Sequence, residues 1–126
     1  MKEFMFFIRK RASSIETLSP EQREIFLKGC ESYISNLKKD GKLISAHPIV
    51  WQGSIISGPV GDWKEVPFHD SGEVLGGYYH ILANDLDEAI EIAKGNPEFE
   101  FNPGTRIEVR PLKMIEQSTG FAYPKA

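Results

Sequence analysis

The chain has 126 residues, 40% of them apolar and 26% charged, with a formal net charge of −3. That composition fits one globular domain and excludes disordered and fibrous classes. The acidic balance argues against a protein that coats nucleic acid through a wide basic face.

Cys30 is the single cysteine, so no internal disulfide can form and a reducing compartment is expected. The apolar run Phe4 to Ile8 is too short for a signal-peptide core, and no segment approaches membrane-spanning length. The expectation is a cytoplasmic protein with no membrane partner. Basic residues cluster at Arg9-Lys10-Arg11 and at Lys38-Lys39, and both clusters are read as solvated surface.

In chain order, Phe4 to Arg9 predicts a strand with both faces largely apolar. Ala12 to Thr17 is a polar loop. Ser19-Pro20-Glu21-Gln22 is a helix start, with serine as N-cap, proline in the first turn and glutamine set for a capping box. That helix runs from Pro20 to about Asp40 and stops at Gly41. Its buried stripe is Phe26, Cys30, Tyr33, Ile34 and Leu37.

Leu43 to His47 is the second strand, edged by Pro48. Residues 49–71 form an excursion rich in glycine, proline and tryptophan, with a short strand at Gln52 to Ile56. Gly77 to Ala83 is the third main strand. Asp85 caps a second helix, with Glu88 placed for a capping box and Gly95 ending it. Asn96 to Gly104 reads as a turn-rich loop, Thr105 to Met114 as the fourth main strand, and 116–126 as a polar tail.

The order β-α-β, excursion, β-α-β is the ferredoxin-like split arrangement, an α+β class with both helices on one face of an antiparallel sheet. The chain reads as one domain, with a core over about 3–114. Strand alternation points Ile107, Val109, Tyr79, Ile81 and Ala83 toward the helices. The open face then receives Met5, Phe7, Arg9, Ser45, His47, Tyr78, His80, Leu82, Arg106, Glu108 and Arg110. Such an apolar and charged mixture is expected to be covered, most simply by a second copy around a two-fold axis.

The run Glu73-Val74-Leu75-Gly76-Gly77-Tyr78-Tyr79, then Asp87-Glu88-Ala89 and Ile107-Glu108-Val109-Arg110-Pro111, resembles the YCII-related proteins, specifically their DGPF branch. At the position of the Asp-Gly-Pro-Phe signature stands Glu65-Val66-Pro67-Phe68, which keeps the proline and phenylalanine. The resemblance implies a dimeric α+β barrel with a histidine and an aspartate lining the dimer cleft. The first helix here contains no histidine, so that residue has no counterpart by position.

His80, with Tyr78, Asp70 and Glu108, is the candidate for proton transfer. Arg106 and Arg110 would anchor a small planar anion, with Glu108, His47 and Phe68 as further ligand contacts. One reading is a small dimeric protein that binds a small, anionic ligand in a cleft on the open face, with cofactorless proton-transfer chemistry. The other is a non-catalytic ligand-binding or protein-interaction module, in which His80 bonds across the dimer.

No metal is expected: His69 and Asp70 are adjacent, so in a strand they point to opposite faces, and no ligand-pair spacing occurs. Gly72, Gly76 and Gly77 precede a strand rather than a helix, so they serve close backbone approach or a bulge rather than a phosphate. Cys30 is read as structural. Trp51 and Trp63 bracket the excursion and either line a pocket or pin the loop. The excursion is expected to fold over the open face or toward a partner, bringing Phe68 and His69 or Asp70 near His80.

Overall fold

A computed structural model describes residues 1–11, 18–68 and 72–125. Strands β1 (Lys2–Arg11), β2 (Leu43–Pro48), β5 (Glu73–Ala83) and β6 (Arg106–Pro111) form one sheet in the order β2-β5-β1-β6. Every neighbouring pair is antiparallel. Helices α1 (Pro20–Lys39) and α2 (Leu86–Lys94) share a single buried cluster with the sheet. The ferredoxin-like α+β arrangement expected from the element order is the one observed.

Local signals explain the element ends. Ser19 Oγ accepts from Gln22 N at 3.1 Å and Gln22 Oε1 accepts from Ser19 N at 3.0 Å, closing the capping box at α1. Beyond its end, Gly41 takes φ +70°, the left-handed region that side chains avoid. Asp85 Oδ1 accepts from Glu88 N at 2.8 Å and caps α2. The expected capping box is not completed there. Glu88 instead accepts from the Asn84 amide at 3.0 Å and pairs with Lys42 at 3.3 Å, because its carboxylate reaches two donors beyond the helix start.

Alternation along the strands sorts the core as anticipated. Phe4, Phe6 and Ile8 of β1 meet Tyr79, Ile81 and Ala83 of β5, with Leu37, Ala89 and Ala93 from the helices; Ile107 and Val109 pack against them. The α1 stripe is only partly packed. Leu37 is buried, whereas Phe26, Cys30, Tyr33 and Ile34 stay half-buried, since the first half of the helix stands off the sheet over a cavity. At the start of β5 the register slips, with Ile8 opposite Gly77 and Arg9 opposite Leu75, leaving Gly76 as the extra residue of a bulge.

Three segments differ from the expectation. The excursion holds two short strands, β3 (Ser54–Ser57) and β4 (Lys64–Pro67), paired with each other in a separate two-stranded sheet. Both are exposed along their whole length, so no alternation of burial marks them in the sequence. The segment read as a loop contains a short helix, α3 (Glu98–Phe101). The tail turns back on itself, with a bridge from Ile115 to Ala122 and a 2.6 Å hydrogen bond from Tyr123 Oη to Glu116.

Candidate functional site

The open face is organised in rows across the sheet. One row runs Ser45, His80, Met5, Arg110, and the next runs His47, Tyr78, Phe7, Glu108. His80 therefore sits two strands from Arg110, about 10 Å at ordinary strand spacing. Its Nε2 lies 2.8 Å from Glu3 Oε1, and the two side chains retain only 12% and 13% of their exposure. The carboxylate facing His80 is thus Glu3, which the sequence reading did not single out.

The expected anion anchors are already engaged. Arg106 forks onto Glu73 through two 2.7 Å hydrogen bonds at the far end of the sheet. Arg110 donates to Glu108 at 2.9 Å, and Arg9 reaches the same carboxylate at 3.1 Å. The Arg106 hydrogen bond holds the Glu73 carboxyl below its ordinary range, and Arg110 followed by Arg9 does the same for Glu108. His47 is exposed, its ring 5.8 Å from that of Tyr78.

The cavity lies on the helix side of the sheet, and its lining reaches His47 and Tyr78 where β2 and β5 meet. These two expected site residues border it, while His80, Arg106, Glu108 and Arg110 do not. The cavity encloses about 400 Å³ between α1 and the ends of β1, β2 and β5, with α3 and the first residues of the excursion as its remaining walls. Phe26, Leu27, Cys30 and Ile34 descend from α1, and Trp51 enters from the excursion. Charge enters this mostly apolar space through Arg23 on α1 and through an ion pair at the end of β1. Lys10 Nζ pairs with Glu98 Oε2 at 2.7 Å, with the side chains only 18% and 8% exposed, and the ammonium lies 5.6 Å from the centroid of the Phe26 ring.

Glu98 is built into its position. Its carboxylate accepts from the Asn102 amide, and its backbone N–H donates to Asn96 Oδ1 at 2.9 Å. The glycine pair makes room for the arrangement. A Cβ on Gly76 would lie 3.0 Å from Lys10 Cδ, and one on Gly77 would lie 3.1 Å from the carbonyl oxygen of His47. Gly76 thus lets the lysine stem lie flat, while Gly77 lets β2 approach β5.

Cys30 faces this charge pair, and its thiol is pushed up to about 11, first by burial and then by the Glu98 carboxylate. It stays protonated at neutral pH and is no nucleophile there. Tyr33 Oη donates to the carbonyl of Ile92, and burial raises both Tyr33 and Tyr79. These hydroxyls are structural.

Against known families, the model of the YCII-related domain matches residues 2–113, nearly the whole chain. The chain belongs to the YCII-related family. No curated protein matches it convincingly. In this YCII-related chain the glycine pair that carried the resemblance borders the cavity rather than the His80 side of the sheet. Pro67 ends β4, and Phe68 packs edge-on against Trp51 with ring centroids 6.2 Å apart. His69 and Asp70, expected near His80, lie outside the described residues.

Lys10 corrects the sequence reading: placed with Arg9 and Arg11 in solvated surface, it is instead held under α1 by Glu98. The signal was present, because Phe4, Phe6 and Ile8 point inward and the next alternate residue is Lys10. Glu98, Asn96 and Asn102 gave no comparable signal, since turn-forming residues surround them. Among the described residues, no group of three or more histidine, cysteine, aspartate or glutamate side chains could hold a metal ion. Among the same residues, no helix is long and apolar enough to cross a membrane.

Proposed function

We propose that this YCII-related protein binds a small organic molecule in the cavity beneath α1. The carrying observation is an apolar space of about 400 Å³ with a largely buried, hydrogen-bonded charge pair at one side. That combination, a mostly apolar wall with a few convergent polar groups, is the usual make-up of a small-molecule site, and the volume falls in the usual range of roughly 300–1,000 Å³. Binding rather than catalysis is favoured: the cavity thiol is held protonated, and Glu98 is already bound to Lys10 and Asn102. The shielded His80–Glu3 pair on the opposite face suits a structural contact better than a base open to substrate.

The test is a thermal-shift and ligand-observed NMR screen of small organic molecules. Compounds that stabilise the wild type should lose their effect in Cys30→Phe, which fills the cavity, and in Trp51→Ala, which opens its wall. They should keep their effect in His80→Ala. Compounds that respond to His80→Ala alone would move the site to the open face.

A homodimer is the second reading, supported by exposed apolar surface. In the excursion Ile55, Ile56, Val60, Trp63 and Val66 are 45–89% exposed, far beyond scattered surface residues. An isolated two-stranded hairpin is marginal in water, so β3 and β4 gain from packing on another chain. On this reading the open face, with Met5, Phe7 and Tyr78, meets its copy, and the hairpin reaches across. Sedimentation should give twice the chain mass at micromolar concentration, and Phe7→Glu or Trp63→Ser should shift it toward monomer. A wild-type monomer at that concentration ends this reading.

A further inference from the structure

We propose that the cavity takes an amphipathic monoanion, a small aromatic or short aliphatic carboxylate, with its charged end between Arg23 and Lys10; this rests on the cavity being a binding site. Arg23 lines the cavity from α1, on the same helical stripe as Phe26, Leu27, Cys30 and Ile34. Lys10 Nζ lies 5.6 Å from the Phe26 ring centroid and Arg23 stands one helical turn before Phe26 in the same lining, so an anion lying along that ring is within reach of both.

The charges of the lining decide the class. Lys10 and Arg23 contribute two positive charges and Glu98 one negative, so with histidine counted neutral the lining carries 2 − 1 = +1. The whole chain carries −3, so a net positive cavity runs against the overall balance. Glu98 is consumed by Lys10 and Asn102, which leaves Arg23 as the surplus cation. Among the described residues its guanidinium makes no hydrogen bond or ion pair, although neighbouring Glu24 and Lys28 pair with each other at 3.3 Å. A guanidinium fork matches a planar carboxylate in two parallel hydrogen bonds.

Lys10 adds a second contact. An ammonium has three donors, and the described residues offer its Nζ one acceptor, Glu98. A carboxylate oxygen can take another of these donors without breaking the pair. One net positive charge balances a monoanion, whereas a phosphate ester dianion would leave a negative charge uncompensated in a space walled by Phe26, Ile34 and Trp51. A neutral ligand would leave the Arg23 fork unused.

Isothermal titration calorimetry with 3-phenylpropionate, 3-phenylpropanol and phenyl phosphate separates these classes, each on wild type, Arg23→Gln, Arg23→Lys and Cys30→Phe. Arg23 is exposed on the helix, so its variants should fold. The expected result is that the carboxylate binds about tenfold or more tightly than the alcohol, the scale of a charge-assisted hydrogen bond. Arg23→Gln should remove that advantage while leaving the alcohol unchanged, Arg23→Lys should restore part of it, and Cys30→Phe should abolish all binding. Equal affinity for acid and alcohol, or preference for the phosphate, overturns the monoanion class while Cys30→Phe still confirms the cavity. Absence of binding by all three compounds overturns both the class and the binding site.

Discussion

Lys10→Met tests whether the charge pair beneath α1 is held out of water. Methionine keeps most of the lysine stem against Phe26 while removing the ammonium, so the change isolates the charge. Taking one partner from a fully buried pair is worth about 3–5 kcal/mol, because the other charge is left uncompensated. Here the side chains keep 18% and 8% of their exposure, and Asn102 still donates to the carboxylate. Those two mitigating contacts bring the expected loss to about 2–3 kcal/mol. For a domain of this length each kcal/mol moves Tm by roughly 4 °C, giving a fall of about 8–12 °C.

The companion variant, Lys10→Met with Glu98→Leu, removes both charges and with them both desolvation penalties. It should recover to within about 1 kcal/mol of the wild type. Urea unfolding of the four proteins, at one fixed chain concentration in case folding is coupled to assembly, gives the coupling energy directly. A coupling of about 1–3 kcal/mol is expected for groups in contact. Additivity of the single substitutions within about 0.5 kcal/mol would mean that the two charges are separately solvated, and the account of a charge pair held out of water beneath α1 would fail.

Three further outcomes follow from the same geometry. Gly77→Ala should destabilise by about 1–3 kcal/mol, since its Cβ meets the backbone of His47 and Pro48, and Gly76→Ala by less, since it meets only the flexible Lys10 stem; equal losses in urea titrations would contradict this. Stability should fall as pH rises above 9: the unfolded Cys30 thiol ionises near 9.0 while the folded one waits until about 11, so between them the unfolded state binds fewer protons. Urea midpoints from pH 8 to 10.5 should show that slope, and Cys30→Ala should flatten it before the raised Tyr33 and Tyr79 hydroxyls add their own loss at higher pH. Replacing residues 54–67 with a short Gly-Ser linker should leave the four-stranded core folded by circular dichroism and weaken self-association in sedimentation; loss of the core signal would show that the hairpin supports the main sheet.

The helix-covered face was legible because burial there follows a period. Phe4, Phe6 and Ile8 alternate, Tyr79, Ile81 and Ala83 answer them, and the caps at Ser19 and Asp85 mark both long helices. The hairpin was half legible, since β3 and β4 pair outside the core and burial imposes no alternation on them. The partners of the charged groups were not legible at all. Glu3 meets His80 only through the β1–β5 register, and Glu98 meets Lys10 only because α3 folds back onto the end of β1.

The glycine pair joins these two levels. In the sequence it marks the start of a strand and a family resemblance, and its chemistry could be mistaken for phosphate binding. In the fold, Gly76 is the extra residue of a bulge, and the bulge lies against Lys10. A side chain there would meet the lysine stem at 3.0 Å and shift it along the cavity wall. Gly77 meanwhile brings the His47–Pro48 backbone close enough to wall the same cavity. The motif therefore acts through the side chains it leaves out: two missing Cβ atoms place a cation and a strand edge around one apolar space. Substitution at Gly76 should accordingly disturb ligand binding more than stability, and substitution at Gly77 should disturb both.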